Sequence, residues 1–387
     1  MTATTAPTRP PSGRLPDERP DNQATETSHV ALEFVGARDG EPRRVAVLRA
    51  LQLGDLLCAV PALRALRARY PGALVTLISL PWARAFAARY RAYIDDFVEF
   101  PGWPGLPERT PDLARIADFL AECHERRFDL AIQLHGSGSH VNELVALLGA
   151  QRCAGFFLPG DHVPDDELFV PWPREGSEAR RLLRVVEHLG ATAPRTDPEF
   201  PLTPDDEADL ARVPAASALR GERYVCLHPG ARFPSRRWPA ERFAAVADAL
   251  VARGLRVAIT GTTDEAAVTS AVRAAMREPA TDLTGALSLG ALGALLSRAA
   301  LVVSNDTGVS HVTAGVGTPS VVIASGSDAI RWAPGDARRH RVLWHDVPCR
   351  PCGHLVCPVG HPCASAVTVH AVLGEALQLL SLRLHAR

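Results

Sequence analysis

The fold is decided by residues 44–70, which read RVAVLRALQLGDLLCAVPALRALRARY. Residues 45–49 of this stretch form a short, mainly aliphatic run that predicts a buried strand. From residue 55 to residue 70, leucine and valine recur at helical spacing with arginines between them, which predicts an amphipathic helix. The apolar positions of this helix are Leu56, Val60, Leu63 and Leu66. A buried strand that leads directly into a helix is the repeating unit of parallel α/β domains.

The same alternation continues toward the C-terminus. In the first half, further strands are predicted at 74–79, 94–100 and 128–134, and helices at 82–92, 110–127, 139–149 and 178–189. Residues 158–175 contain four prolines and predict an irregular connection. In the second half, strands are predicted at 224–227, 255–260, 301–304 and 319–324, and helices at 239–253, 264–277, 288–299, 308–316 and 366–385. The pattern therefore predicts two Rossmann-like α/β halves.

A stretch rich in proline, aspartate and alanine, at about residues 190–222, separates these halves. We expect a flexible tail at residues 1–40, an N-terminal domain at 41–200, a linker at 201–222 and a C-terminal domain at 223–387. We also expect the last helix to pack back on the N-terminal domain. A chain of 387 residues suits two domains, because a single core rarely organises more than about 250–300 residues.

Composition excludes several classes of function. With 47% hydrophobic and 22% charged residues, the chain has enough apolar side chains for packed cores and is not wholly disordered. Its formal net charge of -1 gives no net positive field, so we expect no nucleic-acid partner. The longest uncharged window, residues 307–327, contains a proline, a histidine and several glycines, so we expect no transmembrane segment. Since residues 1–40 lack an apolar signal run, we expect a cytoplasmic protein, with peripheral attachment to the inner membrane as a further expectation.

Leu53, Gly54 and Asp55 lie between the first strand and the first helix. Ligands of open α/β sheets bind at the carboxyl ends of the strands, and Gly54 allows close approach of the backbone. We therefore expect Asp55 to face a cleft. The alternative is that Asp55 only caps the helix, since aspartate is a preferred N-cap residue. The loop lacks both the glycine pattern of dinucleotide-binding turns and the Walker lysine.

Two segments of the second half occupy the same kind of connection from strand to helix. Residues 228–232, HPGAR, and the nearby Arg236 bring backbone donors and guanidinium groups that suit a diphosphate, with a solvated basic turn as the alternative. Residues 304–311, SNDTGVSH, place the amides of a helix start beside a hydroxyl and a glycine, which also suits an anion. The aspartate of this segment suits sugar or ribose hydroxyls, or a helix cap. The candidate binding residues are Gly230, Arg232, Arg236, Asp306, Thr307, Gly308 and His311.

Together these segments resemble glycosyltransferase family 9, the group that contains the ADP-heptose:lipopolysaccharide heptosyltransferases. The resemblance covers nearly all of residues 44–385 and includes FDLAIQLHGSGSHVNELVALLGAQRCAGF at 128–156, YVCLHPGARFPSRRWPAERFAAVADAL at 224–250 and RWAP at 331–334. It implies a GT-B architecture, an α/β fold in which two Rossmann-like domains face each other across a cleft. The donor is then held mainly by the second domain and the acceptor mainly by the first.

The resemblance also implies roles for matched residues. Asp55 falls on the family's Leu-Gly-Asp carboxylate, which implies a general base for the acceptor hydroxyl. Arg236 stands where the family usually has a basic residue, often lysine, against the donor phosphates; arginine keeps the charge but changes its reach and geometry. Residues 306–311 match the family's Asp-Thr-Gly-x-x-His donor segment. Asp264 and Glu265 lie where the family has an acidic ribose contact, in an ambiguous register.

A fourth cluster combines Cys349, Cys352, Cys357 and Cys363 with interspersed histidines. Thiolates and imidazoles at these spacings suit a structural zinc site, and an iron-sulfur site is a further option. The alternative is a loop of reduced cysteines, because the run lacks the paired Cys-x-x-Cys halves of a zinc ribbon. We expect no cofactor for catalysis, since the sequence lacks an Asp-x-Asp motif for a metal diphosphate.

The sequence therefore predicts a metal-independent inverting glycosyltransferase of lipopolysaccharide biosynthesis. Its expected donor is ADP-heptose, and its expected acceptor is a lipopolysaccharide-type or other glycan, a lipid-linked molecule or a small molecule. Two alternatives stay open. Another nucleotide-sugar enzyme of the same fold, such as an epimerase or hydrolase, would turn over donor without an acceptor, whereas a non-catalytic nucleotide-sugar sensor would not need Asp55.

Overall fold

The computed structural model describes residues 40–193 and 195–384, and in this part of the chain the strands form two parallel six-stranded sheets. The first sheet contains β1 (Arg44–Leu48), β2 (Leu74–Ser79), β3 (Asp96–Glu99), β4 (Leu130–Gln133), β5 (Arg152–Phe157) and β6 (Phe169–Pro171), in the order β3-β2-β1-β4-β5-β6. The second contains β7 (Tyr224–His228), β8 (Arg256–Ile259), β9 (Thr281–Asp282), β10 (Leu301–Asn305), β11 (Ser320–Ile323) and β12 (His340–Leu343), in the order β12-β11-β10-β7-β8-β9. The predicted α/β class is confirmed.

Helices follow the strands as the alternating pattern requires. Those up to residue 211 are α1 (Leu53–Arg69), α2 (Arg84–Arg89), α3 (Leu113–Glu125), α4 (Asn142–Leu147), α5 (Glu178–His188) and α6 (Pro204–Ala211). The later ones are α7 (Ala240–Val251), α8 (Ala266–Ala275), α9 (Leu289–Arg298), α10 (Gly308–Gly315), α11 (Ala329–Trp332), α12 (Pro362–Ser365) and α13 (Val369–Leu384). None of the described helices is both long enough and apolar enough to cross a bilayer.

The two halves meet where α1 packs against α10. The strands β1 and β10 lie inside their sheets, and burial on both faces explains their continuous aliphatic runs. Each leads into the helix that follows it, so α1 and α10 both begin at the carboxyl end of a strand. Val60 of α1, Val185 of α5 and Val312 of α10 belong to one buried apolar cluster. This shared core holds the two helix starts, and the loops before them, beside each other.

Strands β5, β9 and β12 were not predicted, and two segments that we expected to be a connection and a linker also contain regular elements. Strand β6 lies within residues 158–175, where we expected an irregular connection; it is an edge strand, and an edge tolerates Pro171 because one side of the strand needs no ladder donor. Helix α6 lies within the expected linker 201–222 and packs against α9. Residues 1–39 of the expected tail lie outside the described residues. The expected domain boundaries stay a prediction.

Helix α13 packs against α7 and against β10 and β11 of the second sheet. We expected this helix to pack on the first half. Its buried side chains form one stripe, which covers the second core. The residues of the stripe are Val372, Ala376, Leu379 and Leu380.

Candidate active site

Asp55 lies on the first turn of α1, just beyond the carboxyl end of β1. The backbone N–H of Gln52 donates to Asp55 Oδ2 at 3.2 Å, so the carboxylate helps to close the turn that begins the helix. The residue is half-buried and lines a cavity of about 270 Å³. Asp55 therefore takes part in the helix turn, as the alternative stated, and also faces the cleft.

Two glycines allow the first turns of α1 and α10 to meet. A β carbon on Gly54 would stand 3.0 Å from Cδ2 of His311. A β carbon on Gly308 would stand 3.3 Å from Cδ2 of Leu53, which is tighter than an ordinary van der Waals contact. The absence of both side chains brings Asp55 of the first half to the same cavity as Gly308 and His311 of the second.

His311 is buried between these helices, and its Nδ1 lies 3.7 Å from Cys58 Sγ. Burial lowers the pKa of His311, and the nearby carboxylates of Asp306 and Asp55 oppose that shift. Burial also raises the pKa of the Cys58 thiol. Both groups are therefore neutral near pH 7, so His311 offers a hydrogen bond to the cavity rather than a fixed positive charge.

Asn305, at the end of β10, connects residues 229–230 to Trp238, which lies two residues after Arg236. Its Nδ2 donates to the backbone oxygens of Pro229 at 2.7 Å and of Gly230 at 3.3 Å. Its Oδ1 accepts from the backbone N–H of Trp238 at 2.9 Å. Sequence reasoning did not single out Asn305, although a buried amide at the end of an aliphatic strand is a usable signal of such a linking role.

Arg232 and Arg236 line the same cavity as Asp55. Arg236 lies on a short 3₁₀ turn, and its Nη2 donates to the backbone oxygen of Cys352 at 3.0 Å. Its Nε is buried and has no hydrogen-bond partner among the described residues. The two guanidinium groups place positive charge beside the carboxylate of Asp55.

A second cavity, of about 460 Å³, continues from the first. The residues that line both are Gln52, Gly54, Arg232, Thr307 and Gly308. Its remaining wall is apolar at Leu287, Leu289 and Leu292 and polar at Thr262 and Glu265. The pair of cavities thus offers an end with apolar and polar walls, a middle that carries Arg232 and an end that carries Asp55.

Glu265 faces the larger cavity, whereas Asp264 is exposed and is not among the described residues that line it. Glu265 Oε2 accepts from the backbone N–H of Thr262 at 2.8 Å and lies 3.7 Å from His228 Nε2. Burial lowers the pKa of His228, and Glu265 opposes this shift. A β carbon on Gly230 would stand 2.1 Å from Glu265 Oε1, so residue 230 must be glycine for this carboxylate to reach its position.

The cysteine loop, residues 349–363, does not form the expected zinc site. Among residues 40–193 and 195–384, no group of three or more His, Cys, Asp or Glu side chains is placed to hold a metal ion. Cys349 is exposed while Cys352 and Cys363 are buried, and Cys357 Sγ accepts from a backbone N–H at 3.2 Å. A zinc site at these four cysteines is not supported, and the alternative of a loop of free thiols agrees with the structure.

The cysteine loop instead packs on the turn that carries Arg236. The hydroxyl of Ser235 donates to the backbone oxygen of His354 at 2.5 Å, and His361 Nε2 lies 2.7 Å from the backbone oxygen of Ser235. The backbone oxygen of Cys352 accepts from the Arg236 guanidinium. These contacts fix the loop by its backbone and by His361, which explains why its thiols do not converge.

A family model described as glycosyltransferase family 9 (heptosyltransferase) matches residues 122–362. The chain belongs to glycosyltransferase family 9. It is 31% identical over 283 residues to lipooligosaccharide heptosyltransferase 2 of Haemophilus influenzae, a match that covers 70% of this chain and 80% of the relative. It is also 35% identical over 117 residues to lipopolysaccharide heptosyltransferase 3 of Escherichia coli. This match covers 30% of this chain and 34% of the relative, so it spans about a third of that protein's length.

The fold of this family 9 chain is similar to that of a solved structure, Escherichia coli ADP-heptose lps heptosyltransferase II. The TM-score is 0.66 at 18% identity, and the match covers 88% of this chain and 99% of the other. This likeness shows the fold, which is the GT-B architecture that the resemblance to family 9 implied. The roles of Asp55 and of the donor-segment residues stay predictions.

Proposed function

We propose that this family 9 glycosyltransferase moves heptose from ADP-heptose, with inversion, to a lipopolysaccharide-type glycan acceptor. One observation carries the proposal: Asp55 of the first half lines the same cavity as Arg232, Arg236 and the first turn of α10 of the second half. A carboxylate that shares a cavity with two guanidinium groups suits a reaction in which one substrate loses a proton and the other loses a diphosphate.

The two cavities suit a nucleoside diphosphate sugar. In the larger one, the carboxylate of Glu265 suits a ribose hydroxyl, and Leu287 and Leu289 suit the face of an adenine ring. Arg232 lines both cavities and so lies where the diphosphate of such a donor would cross from one to the other. Guanidinium groups bind phosphate through two parallel hydrogen bonds, so Arg236 would complete the diphosphate site.

In the proposed reaction, Asp55 accepts the proton of the acceptor hydroxyl as the hydroxyl oxygen attacks the anomeric carbon. The new carbon–oxygen bond forms on the face opposite the diphosphate while the bond from that carbon to the phosphate oxygen breaks, which inverts the configuration. The electron pair leaves with ADP, and Arg232, Arg236 and the amides at the start of α10 stabilise its charge. The proton then passes from Asp55 to solvent.

We also propose that transfer needs no divalent cation, because Arg232 and Arg236 supply positive charge at the diphosphate. The acceptor would bind mainly to the first half, beside Asp55. The printed names of the relatives, lipopolysaccharide and lipooligosaccharide heptosyltransferases, support a lipid-linked glycan acceptor. A cytoplasmic protein that attaches peripherally to the inner membrane would reach such an acceptor.

The test is transfer by the purified chain, with ADP-heptose and with lipopolysaccharide core that lacks heptose. Mass spectrometry measures addition of one heptose, and NMR of the product gives the anomeric configuration. Transfer with inversion supports the proposal. ADP release at the same rate with and without the acceptor would contradict the proposal and would indicate a hydrolase. Retention of configuration would contradict the proposed role of Asp55.

A further inference from the structure

Glu178, on the first turn of α5, is a buried carboxylate that contacts one arginine from each half of the molecule. Its Oε1 accepts from Arg49 Nη2 at 3.2 Å, and its Oε2 accepts from Arg331 Nε at 2.8 Å. Arg49 directly follows β1 of the first sheet, whereas Arg331 lies on α11 beyond β11 of the second. Arg49 is completely buried and Glu178 is 1% exposed. One carboxylate therefore joins the two halves through two guanidinium groups.

Arg49 extends this contact to the loop of the proposed base. Its Nε donates to the backbone oxygen of Asp55 at 2.7 Å, and its Nη1 donates to the backbone oxygen of Leu134 beyond β4. The guanidinium is thus anchored at three points, two of them in the first sheet's loops and one at Glu178. A single side chain, that of Arg49, therefore connects Glu178 to the backbone of Asp55.

Arg331 extends the contact to the opposite wall of the cavity. It precedes Trp332, which lines the cavity together with Asp55. Its guanidinium lies 4.7 Å from the ring centroid of Trp332 and 5.7 Å from that of Trp172 in the first half. The carboxylate of Asp328 accepts from the backbone N–H of Arg331 at 3.0 Å, which fixes the start of α11. The wall at Trp332 is therefore tied to the first half by Arg331.

Charge keeps this network together. Burial alone would raise the pKa of Glu178, but the positive charges of Arg49 and Arg331 outweigh burial and hold the pKa below its usual range. Removal of one member of a buried ion pair is costly because the remaining charge loses its partner in a poorly polarisable surrounding. Arg331 is the exception, because its side chain is 29% exposed and Glu178 would still face Arg49.

We infer that Glu178 is a positioning residue that couples the α11 wall of the second half to the backbone of Asp55 through Arg49. The inference rests on the proposed function, which makes Asp55 the base. Because Arg331 and Arg49 share the carboxylate of Glu178, the loop of the base and the wall at Trp332 are held by one residue.

Arg331→Ala tests the coupling, because it removes the partner from the second half and leaves the pair of Arg49 and Glu178. We expect kcat for transfer to fall roughly tenfold while ADP affinity is unchanged, and we expect Arg331→Lys to recover part of the loss. Glu178→Asp shortens the carboxylate, and the double variant should be no slower than the slower single variant because both changes remove the contact between Glu178 and Arg331. Arg338→Ala, exposed on the same segment, is the matched control. An unchanged kcat in Arg331→Ala, or losses that multiply in the double variant, would overturn the inference.

Hydrogen–deuterium exchange gives a readout that does not require transfer. Amide exchange of residues 49–57 is followed in the full chain without substrate for the wild type, Arg331→Ala, Arg331→Lys and Arg338→Ala. We expect roughly tenfold faster exchange in Arg331→Ala, a smaller increase in Arg331→Lys and none in Arg338→Ala, since loss of the anchor permits local opening. Unchanged exchange in Arg331→Ala overturns the coupling. If the wild type transfers no sugar while Arg331→Ala still speeds exchange at 49–57, the proposed function fails and the coupling stands.

Discussion

Gly54 lies against the imidazole of His311, so closely that a β carbon on residue 54 would stand 3.0 Å from Cδ2. Gly54 belongs to the first half and His311 to the second, and His311 is buried at the joint between α1 and α10. The imidazole has little room to move away, because His311 is buried. Residue 54 thus sets how closely the carboxylate of Asp55 approaches the donor segment.

Gly54→Ala should lower both the melting temperature and the rate of transfer. Overpacking of a closed contact costs about 1–3 kcal/mol of unfolding free energy, which exceeds the gain of up to about 1 kcal/mol from replacing glycine within a helix. The matched control is Gly374→Ala in α13, where an added β carbon meets no atom within 4 Å. That variant should be as stable as the wild type or more stable. Differential scanning calorimetry measures both, and equal melting temperatures for the two variants would contradict a closed contact at residue 54.

The fold was predictable because local signals agree with the tertiary structure. Residues 44–70 contain the predicted strand and helix. The helix is not amphipathic as predicted, because residues 56–63 are buried on all sides where α1 packs against both α5 and α10. Since parallel strands end at one edge of a sheet, the loops that follow β1, β7 and β10 were predictable as neighbours of a ligand. That geometric rule brings Arg236 and Asp306 of the second sheet together, whereas only the resemblance to family 9 implied that Asp55 of the first sheet faces them across a cleft. All three residues line one cavity.

Contacts between distant segments were not predictable from the sequence. Glu178 belongs to an amphipathic helix, where a glutamate is usually solvated, and only the tertiary structure brings Arg49 and Arg331 to it. The cysteine spacing suited a metal, but spacing does not reveal that the loop backbone is already held by Ser235 and Arg236. Long-range hydrogen bonds determine both the burial of Glu178 and the conformation of the cysteine loop. Such bonds produce no periodic pattern in the sequence.

Asp55→Asn should reduce transfer by roughly 10²–10⁴, the range of general acid–base catalysis, while ADP affinity is unchanged. The amide oxygen of asparagine can still accept from the backbone N–H of Gln52, so the start of α1 should be preserved. Asp205→Asn, an exposed aspartate on the first turn of α6, is the control for the same chemical change. Steady-state transfer rates and calorimetric titration with ADP give the two readouts. Turnover near the wild-type value would remove Asp55 from the mechanism.

His361→Ala should weaken ADP binding although His361 is remote from the proposed ligand. Its Nε2 holds the backbone oxygen of Ser235, next to Arg236, and loss of such a hydrogen bond costs about 0.5–1.5 kcal/mol, or roughly two- to tenfold in affinity. Arg236→Ala should cost more, roughly ten- to hundredfold, because it removes a charged donor. His354→Ala is the control within the same loop, since its imidazole is exposed and its backbone oxygen remains. Calorimetric titration that finds His361→Ala and His354→Ala equal would contradict the role of the cysteine loop.

Chelation should leave transfer unchanged. Arg232 and Arg236 provide positive charge at the cavity of Asp55, and no described group of side chains is placed to hold a metal ion. Transfer is measured with EDTA and with added Mg²⁺ or Mn²⁺, and elemental analysis measures metal in the purified chain. We also expect EDTA to leave the melting temperature unchanged, because the cysteine loop is held by hydrogen bonds. Activity that EDTA abolishes and Mg²⁺ restores would overturn the metal-independent proposal.

His340, at the start of β12, should make the protein less stable in mild acid. Burial lowers the pKa of His340 to about 4, and Asp336 opposes this shift while Arg339 and His311 add to it. Its Nδ1 lies 2.9 Å from Ser320 Oγ, within a buried pair. In the unfolded chain a histidine has a pKa near 6.5, so between pH 6.5 and pH 4 the unfolded state binds more protons than the folded state. The unfolding free energy should therefore be highest above pH 6.5 and fall as the pH is lowered through this window.

The contribution of His340 is isolated by His340→Gln, because glutamine does not titrate and can keep a hydrogen bond to Ser320. His228 and His311 are also buried with lowered pKa values and act in the same direction, so only the difference between variants assigns the effect. Between pH 6.5 and pH 4, the wild type should lose up to about 3 kcal/mol more unfolding free energy than His340→Gln. His370→Gln, at an exposed position of α13, should follow the wild type. Urea unfolding at several pH values measures these curves, and parallel curves for the wild type and His340→Gln would show that His340 is protonated as readily in the folded chain as in the unfolded one.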